Sequence, residues 1–269
     1  MSVDSDAEIQ RYLRRAYLDL TGKTPSEADL TASTTRLRDA NNSSTARGEL
    51  VAELMATDKF AAVWTEELEN QVFAGNTLES HYQLICGLTR GAFDECLSCT
   101  ATDNCACTCP QVAPFAAERT MLATTATDLK GGMKTSALEK RYAMQTAYFA
   151  ITGSFDARIT ALFDDFLARP PEPDEIENGR SLIIGSIAPG SPAGVLFHEY
   201  GSSYTDMLDI LFESEVYREA VVRRVFDRYL ARSPKPAELA HFSATLNAAE
   251  PDARSIVRAV VSSREYFEQ

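Results

Sequence analysis

Three stretches of this chain align with one another without a gap: AYLDLTGKTPSEADL (16–30), LFDDFLARPPEPDEI (162–176) and VFDRYLARSPKPAEL (225–239). Pro25, Pro171 and Pro234 share one column, and Leu30, Ile176 and Leu239 share another. Self-similarity of this kind restricts the fold to one small motif used several times, each copy needing a neighbour to cover its apolar face. Before each proline the apolar residues step by three and four. They are Leu13, Ala16, Tyr17 and Leu20 in the first copy, Ile159, Leu162, Phe163 and Phe166 in the second, and Val222, Val225, Phe226 and Tyr229 in the third. That spacing predicts a helix with one apolar stripe, Tyr17, Phe163 and Phe226 pointing inward. The proline then marks a turn and the first position of a second helix. Thr24, with Glu27 three residues on, has the form of a capping box.

Each copy also closes alike, in LMATDKF (54–60), LFESEVY (211–217) and VVSSREY (260–266). Thr57, Ser214 and Ser263 are expected to cap a further turn that carries Phe60, Tyr217 or Tyr266. Each copy therefore reads as three helices over roughly 45 to 60 residues. No sustained apolar alternation occurs, so no sheet is expected. The chain divides into a helical unit at 1–75, a cysteine-rich insert with connecting helices at 76–150, a second unit at 151–218 and a third at 219–269. The insert contains helix-like runs near 115–129 and 136–151, parted by Gly131-Gly132, and the second unit carries its own Gly/Pro loop, GSIAPGSPAG (185–194). The adjacency of copies two and three favours one compact C-terminal body.

YLRRAYLDLTGKTPSEADL, followed by ELMATDKFAAVWTEEL, resembles the planctomycete-type domain of unknown function found in large exported bacterial proteins. Arg14, Arg15, Asp19, Leu20, Thr21, Gly22 and Pro25 match its first motif. Phe60 and Trp64 match its second loosely, with Asp58-Lys59 where proline is usual. The C-terminal copies resemble the phycobilisome-linker-like helical repeats of bacterial surface proteins. The resemblance spans the three copies but not the insert. It implies an exported helical module and no established activity.

Five of the six cysteines fall in CLSCTATDNCACTCP (96–110); the full set is Cys86, Cys96, Cys99, Cys105, Cys107 and Cys109. Cys96-x-x-Cys99 is a metal or redox spacing, and the alternation from 105 to 109 is that of thiolate clusters. The two groups stand too close for paired zinc knuckles, Thr100 replaces the histidine of a haem motif, and no strand precedes the pair as in a thioredoxin. An even number of cysteines in a segment almost without apolar residues predicts disulfides, each worth ~2–3 kcal/mol. Oxidising compartments supply them, in accord with the resemblance. MSVDSDAEIQ lacks the apolar core of a signal peptide, which fits a cytosolic chain or an exported one whose leader is removed. The cysteines favour the second. A metal-binding or redox protein using the 86–109 segment, with His81 as an added ligand, is the alternative.

The remaining candidates read as structural. His198 in LFHEY and His241 in LAHFS lie on helix-like patterns, and three scattered histidines assemble no triad. Asp164-Asp165 would diverge by about 100° on a helix. Arg15 with Asp19 and Arg223 with Asp227 are i,i+4 pairs of a solvated face. GGMKTS (131–136) is not a phosphate loop. A net charge of −13 excludes a nucleic-acid surface, and no apolar run approaches the roughly 20 residues of a membrane span. The sequence thus predicts an all-α protein of three related helical units with a disulfide-stapled, cysteine-rich insert. It is expected to be non-enzymatic, without metal or cofactor, exported to the periplasm or cell surface, and bound to a protein partner or to itself.

Overall fold

The computed structural model describes residues 4–98, 112–185 and 192–269. In chain order they form α1 (Asp6–Thr21), α2 (Glu27–Asp39), α3 (Ser44–Met55), α4 (Asp58–Val72), α5 (Leu78–Cys86), α6 (Arg90–Ser98), α7 (Val112–Ala123), α8 (Thr125–Lys130), α9 (Thr135–Ala143), α10 (Thr146–Thr152) and α11 (Phe155–Leu162). A π-helical turn, Phe163–Leu167, continues α11. Then follow α12 (Pro173–Ile184), strands β1 (Gly194–Leu196) and β2 (Glu199–Gly201), α13 (Tyr204–Glu213), α14 (Glu215–Leu230), α15 (Pro236–Thr245), α16 (Ala253–Val261) and α17 (Arg264–Glu268). The fold is all-α, and the antiparallel hairpin β1–β2 is its one unforeseen element among the described residues.

The repeated joint explains the aligned sequence. The first helix of each copy ends on a left-handed residue, Gly22 (φ 67°), Ala168 (φ 53°) or Ala231 (φ 51°). Next comes a cation. Arg169 grips Glu175 with two bonds of 2.8 and 2.6 Å, and Arg232 grips Glu238 with two of 2.8 and 2.9 Å. Each guanidinium also lies over the aromatic ring of its own first helix, Phe163 at 5.0 Å and Phe226 at 5.1 Å. The prolines are displaced by two positions from the expectation. Pro25, Pro171 and Pro234 precede the N-caps Ser26, Glu172 and Lys235, and the helices open at Glu27, Pro173 and Pro236. The cap needs a backbone N–H that proline lacks: Glu172 N donates to Glu175 and Lys235 N to Glu238, each at 2.7 Å. In the first copy Ser26 and Asp29 form the cap in place of Thr24 and Glu27. Phe163 and Phe226 are buried as expected, whereas Tyr17 is half-buried.

The closing caps form in all three copies. The backbone N–H of Phe60, Tyr217 and Tyr266 donates to Thr57, Ser214 and Ser263 at 3.2, 3.0 and 3.1 Å. All three rings are buried.

A fourth copy, absent from the sequence reading, emerges from the structure. YAMQTAYF (142–149) lies in register with VVSSREYF (260–267), and the same shift carries α9 onto α16 and the start of α10 onto α17. The first half of this copy is α4, which is followed, as in the others, by a left-handed residue, Ala74 (φ 50°). Tyr148 donates to Asp165 at 3.0 Å, as Tyr266 does to Asp19 at 2.7 Å, and the two aspartates share a column. Two causes hid it. The insert separates its halves, and its cap residue is Gln145, whose side chain makes no capping bond.

The chain forms two compact units, one of Met1–Thr65, Ala126–Ala137 and Phe212–Gln269, the other of Glu66–Thr125 and Leu138–Leu211. The first unit thus contains the N-terminal and C-terminal copies, and the second contains most of the hidden copy and of the 151–218 copy. The adjacent second and third copies, expected in one C-terminal body, fall into different units. In the first unit Phe267 packs on Tyr12 (5.5 Å) and under the Arg47 guanidinium (5.4 Å). In the second, Phe149 packs on Tyr204 (4.5 Å) and under Arg158 (3.5 Å). Tyr12 and Arg158 are equivalent positions, and so are Arg47 and Tyr204: the same aromatic–cation pair is present with its members exchanged. Adjacency in the chain decides less than this lock, which requires a Tyr-Phe pair from one copy and first and third helices from another.

Candidate functional site

The two places where the repeat pattern is interrupted are the candidate sites. The first is the insert within the hidden copy. Phe115 of α7 contacts Tyr82 of α5 at 4.7 Å and Phe93 of α6 at 5.0 Å, edge to face, so three short helices share one small aromatic core. Glu118, also buried, accepts from the Tyr82 hydroxyl (2.7 Å) and from the Thr146 backbone N–H (2.5 Å). Burial and this carboxylate push the Tyr82 hydroxyl well above its ordinary pKa. Thr146 opens α10, the helix whose own N-cap fails. The insert therefore supplies from outside the acceptor that Gln145 does not.

Cys86 ends α5 and Cys96 lies on α6, both half-buried, and neither is a free thiol. Cys99, Cys105, Cys107 and Cys109 lie outside the described part. His81, weighed as a metal ligand, is engaged otherwise: its Nε2 is 3.2 Å from the Phe73 carbonyl and its ring 5.6 Å from that of Phe73. Among the described residues no group of three His, Cys, Asp or Glu side chains is placed to hold a metal ion.

The second interruption is the loop and hairpin of the 151–218 copy; residues 186–191 of the predicted 185–194 loop lie outside the described part. Gly194 and Gly201 face each other across the hairpin base. A Cβ on Gly194 would stand 2.7 Å from the Asn178 carbonyl, and one on Gly201 2.8 Å from Leu182. The two glycines thus let the strands lie directly on α12, where Asn178 Oδ1 accepts from Val195 N at 3.1 Å. The two-residue turn is Phe197-His198, both with left-handed φ (49° and 70°). Such a turn matches strand twist but favours Asn-Gly, so two bulky residues there carry strain. A pocket of about 220 Å³ lies between turn and helix, lined by Asp174, Glu175, Asn178, Phe197 and His198 among others. His198 is therefore an exposed turn residue, not a helical one.

The other candidates resolve into structure. Asp164 is exposed while Asp165 takes the Tyr148 hydroxyl, so the pair does not converge. Arg15 and Asp19 do form their i,i+4 pair, at 3.5 Å, but both are half-buried rather than on a solvated face. The Arg15 guanidinium lies 4.2 Å over the Tyr266 ring and donates to the Tyr229 carbonyl, and Asp19 receives the Tyr266 hydroxyl. Arg223 pairs with Glu219 at 2.7 Å rather than with Asp227. His241 is exposed on α15 beside the Phe242 ring. GGMKTS turns the chain from α8 into α9.

These features define an all-α helical-repeat protein with two insertions. Residues 1–83 match the family described as PSCyt2, a protein of unknown function (DUF1549). The matched segment runs from α1 into α5, less than a third of the chain, and does not reach the C-terminal copies. Comparison with curated proteins and with solved structures gives no match. Three of the motif residues have a structural role here: Arg15 and Asp19 bind the Tyr266 helix, and Gly22 provides the left-handed end of α1 (φ 67°).

Proposed function

We propose that this chain is an exported, non-enzymatic interaction module, its cysteine insert stapled by disulfides and its two insertions turned toward a protein partner or another copy of itself. One observation carries the reading. The three most exposed large apolar side chains among the described residues all sit at the interruptions: Leu84 (80 %), two residues before Cys86, with Tyr200 (74 %) and Ile184 (64 %) flanking the loop of the 151–218 copy. These three exposed groups, set at the two interruptions, are the proposed contact points. Of the polar residues that drew attention in the sequence, Arg15, Asp19 and Asp165 hold copies together.

The oxidised state is supported by Cys86 and Cys96, neither of which is free, and by the near absence of apolar residues from the sequence of 96–110. Disulfides of this kind favour the periplasm or the cell surface, where oxidising conditions supply them, in line with the exported resemblance. The test is photo-crosslinking in the native compartment, with the reactive residue placed in turn at 84, 200 and 164. Adducts to protein are expected at 84 and 200 and not at 164, an exposed position on a repeat. Equal labelling at all three, or none at 84 and 200, would refute the proposal.

A further inference from the structure

We propose that the pocket between α12 and the β1–β2 turn receives the cationic end of a basic side chain, ammonium or guanidinium, from the partner protein; this deepens the interaction reading and rests on it. The charges of the pocket decide the chemistry. The Glu175 carboxylate is already matched by the two-pronged Arg169 contact. Both ends of the Asn178 amide are engaged, its Nδ2 donating to the Asp174 carbonyl and its Oδ1 accepting from Val195 N. Two groups are left over. Among the described residues neither the Asp174 carboxylate nor the His198 imidazole has a hydrogen-bond or ion-pair partner, and both are exposed. The Phe197 ring already faces the Arg169 guanidinium at 5.9 Å, so one unbalanced negative charge beside the apolar Val195 and Leu196 then suits an alkyl stem with a positive tip. A volume of about 220 Å³ fits one such side chain rather than a large cofactor.

The other copies supply an independent comparison. The column of Asp174 holds Ala28 in the N-terminal copy and Ala237 in the C-terminal one. Those copies connect their second and third helices through residues 40–43 and 246–252, without a hairpin. The joint formed by Arg169, Glu175 and the cap, by contrast, recurs at Arg232 and Glu238. The acid and the hairpin therefore occur together at the pocket and in neither of these two copies, whereas the residues that maintain the joint recur without them. Asp174 is not needed for the joint.

The experiment is a titration of the intact, oxidised protein with ethylguanidinium and with butylammonium, followed by the imidazole proton resonances at constant ionic strength. The chain has three histidines, so the His198 signal is assigned by one substitution. Saturable shifts of His198 are expected with one or both cations and not with butyrate, and the stronger of the two identifies the partner's group. Asp174→Ala, which installs the residue of the sister copies and is checked by its thermal melt, is expected to weaken binding about fivefold. Non-saturable shifts, an equal response to butyrate, or unchanged binding by Asp174→Ala would overturn the proposal. If the cations fail to bind while crosslinks at position 200 persist, the pocket assignment falls and the interaction module stands; if both fail, the module itself is wrong.

Discussion

Tyr148 and Tyr266 occupy equivalent places, and each buried hydroxyl donates to the aspartate of another copy's first helix. Burial first and the neighbouring carboxylate second raise both phenols far above their ordinary range, so they remain donors at any physiological pH. Tyr266→Phe removes one hydrogen bond to a charged acceptor at nearly constant volume. It is expected to cost about 1.5–3 kcal/mol in urea denaturation, where a surface tyrosine would cost nothing measurable. The opposite sign is expected at Glu69. Burial, helped by Glu79 and Glu66, holds its carboxyl above the ordinary value of 4.5. The folded protein therefore binds that proton more tightly than the unfolded chain, and ionisation destabilises it fully above the raised pKa. Glu69→Gln should be more stable than the parent at neutral pH, the gap closing as pH falls toward 4.5. Parallel urea titrations across that window check it. The sequence exposed the tyrosines and acids as residue types, but their partners lie up to 247 positions away, and no local pattern connects them.

At the scale of elements, the first helices, the proline turns and the closing caps were legible because each rests on residues within four positions of one another. The prolines sit two positions off for a local reason as well, the N–H that the cap acid requires. The hairpin was not legible. Its strands are three residues each, too short for alternation, and its turn lacks Asn-Gly. What holds it is contact with α12, which is tertiary. Gly201→Val would drive side-chain atoms into Leu182, whose Cδ2 stands 2.8 Å from a bare Cβ. It is expected to lift the hairpin and cost about 1–3 kcal/mol, visible as a lower denaturation midpoint together with a shifted His198 resonance. The cysteine segment was legible as a composition only. Its chemistry depends on which sulfurs meet, a question of tertiary distance that spacing alone does not answer.

For the whole molecule, repetition was legible and pairing was not. Three copies stood out by column, a fourth was hidden by an insert and a lost cap, and the partner of the first copy turned out to be the last. The lock of Tyr266 and Phe267 against Arg15, Tyr12 and Arg47 gives the reason. The segment that matches a family, residues 1–83, therefore lacks half of its own unit. Expressed alone it is expected to show helical circular dichroism without a cooperative melt; a sharp two-state transition would show that α1–α3 need no partner. The central claim, an exported scaffold stapled at its insert, is tested most directly by a thiol titration in denaturant, with metal analysis, on protein taken from an oxidising compartment. The account predicts no reactive thiol before reduction, all six after it, and no stoichiometric metal, since a disulfide removes the thiolates a metal would bind. Six reactive thiols with bound zinc, copper or iron would contradict it.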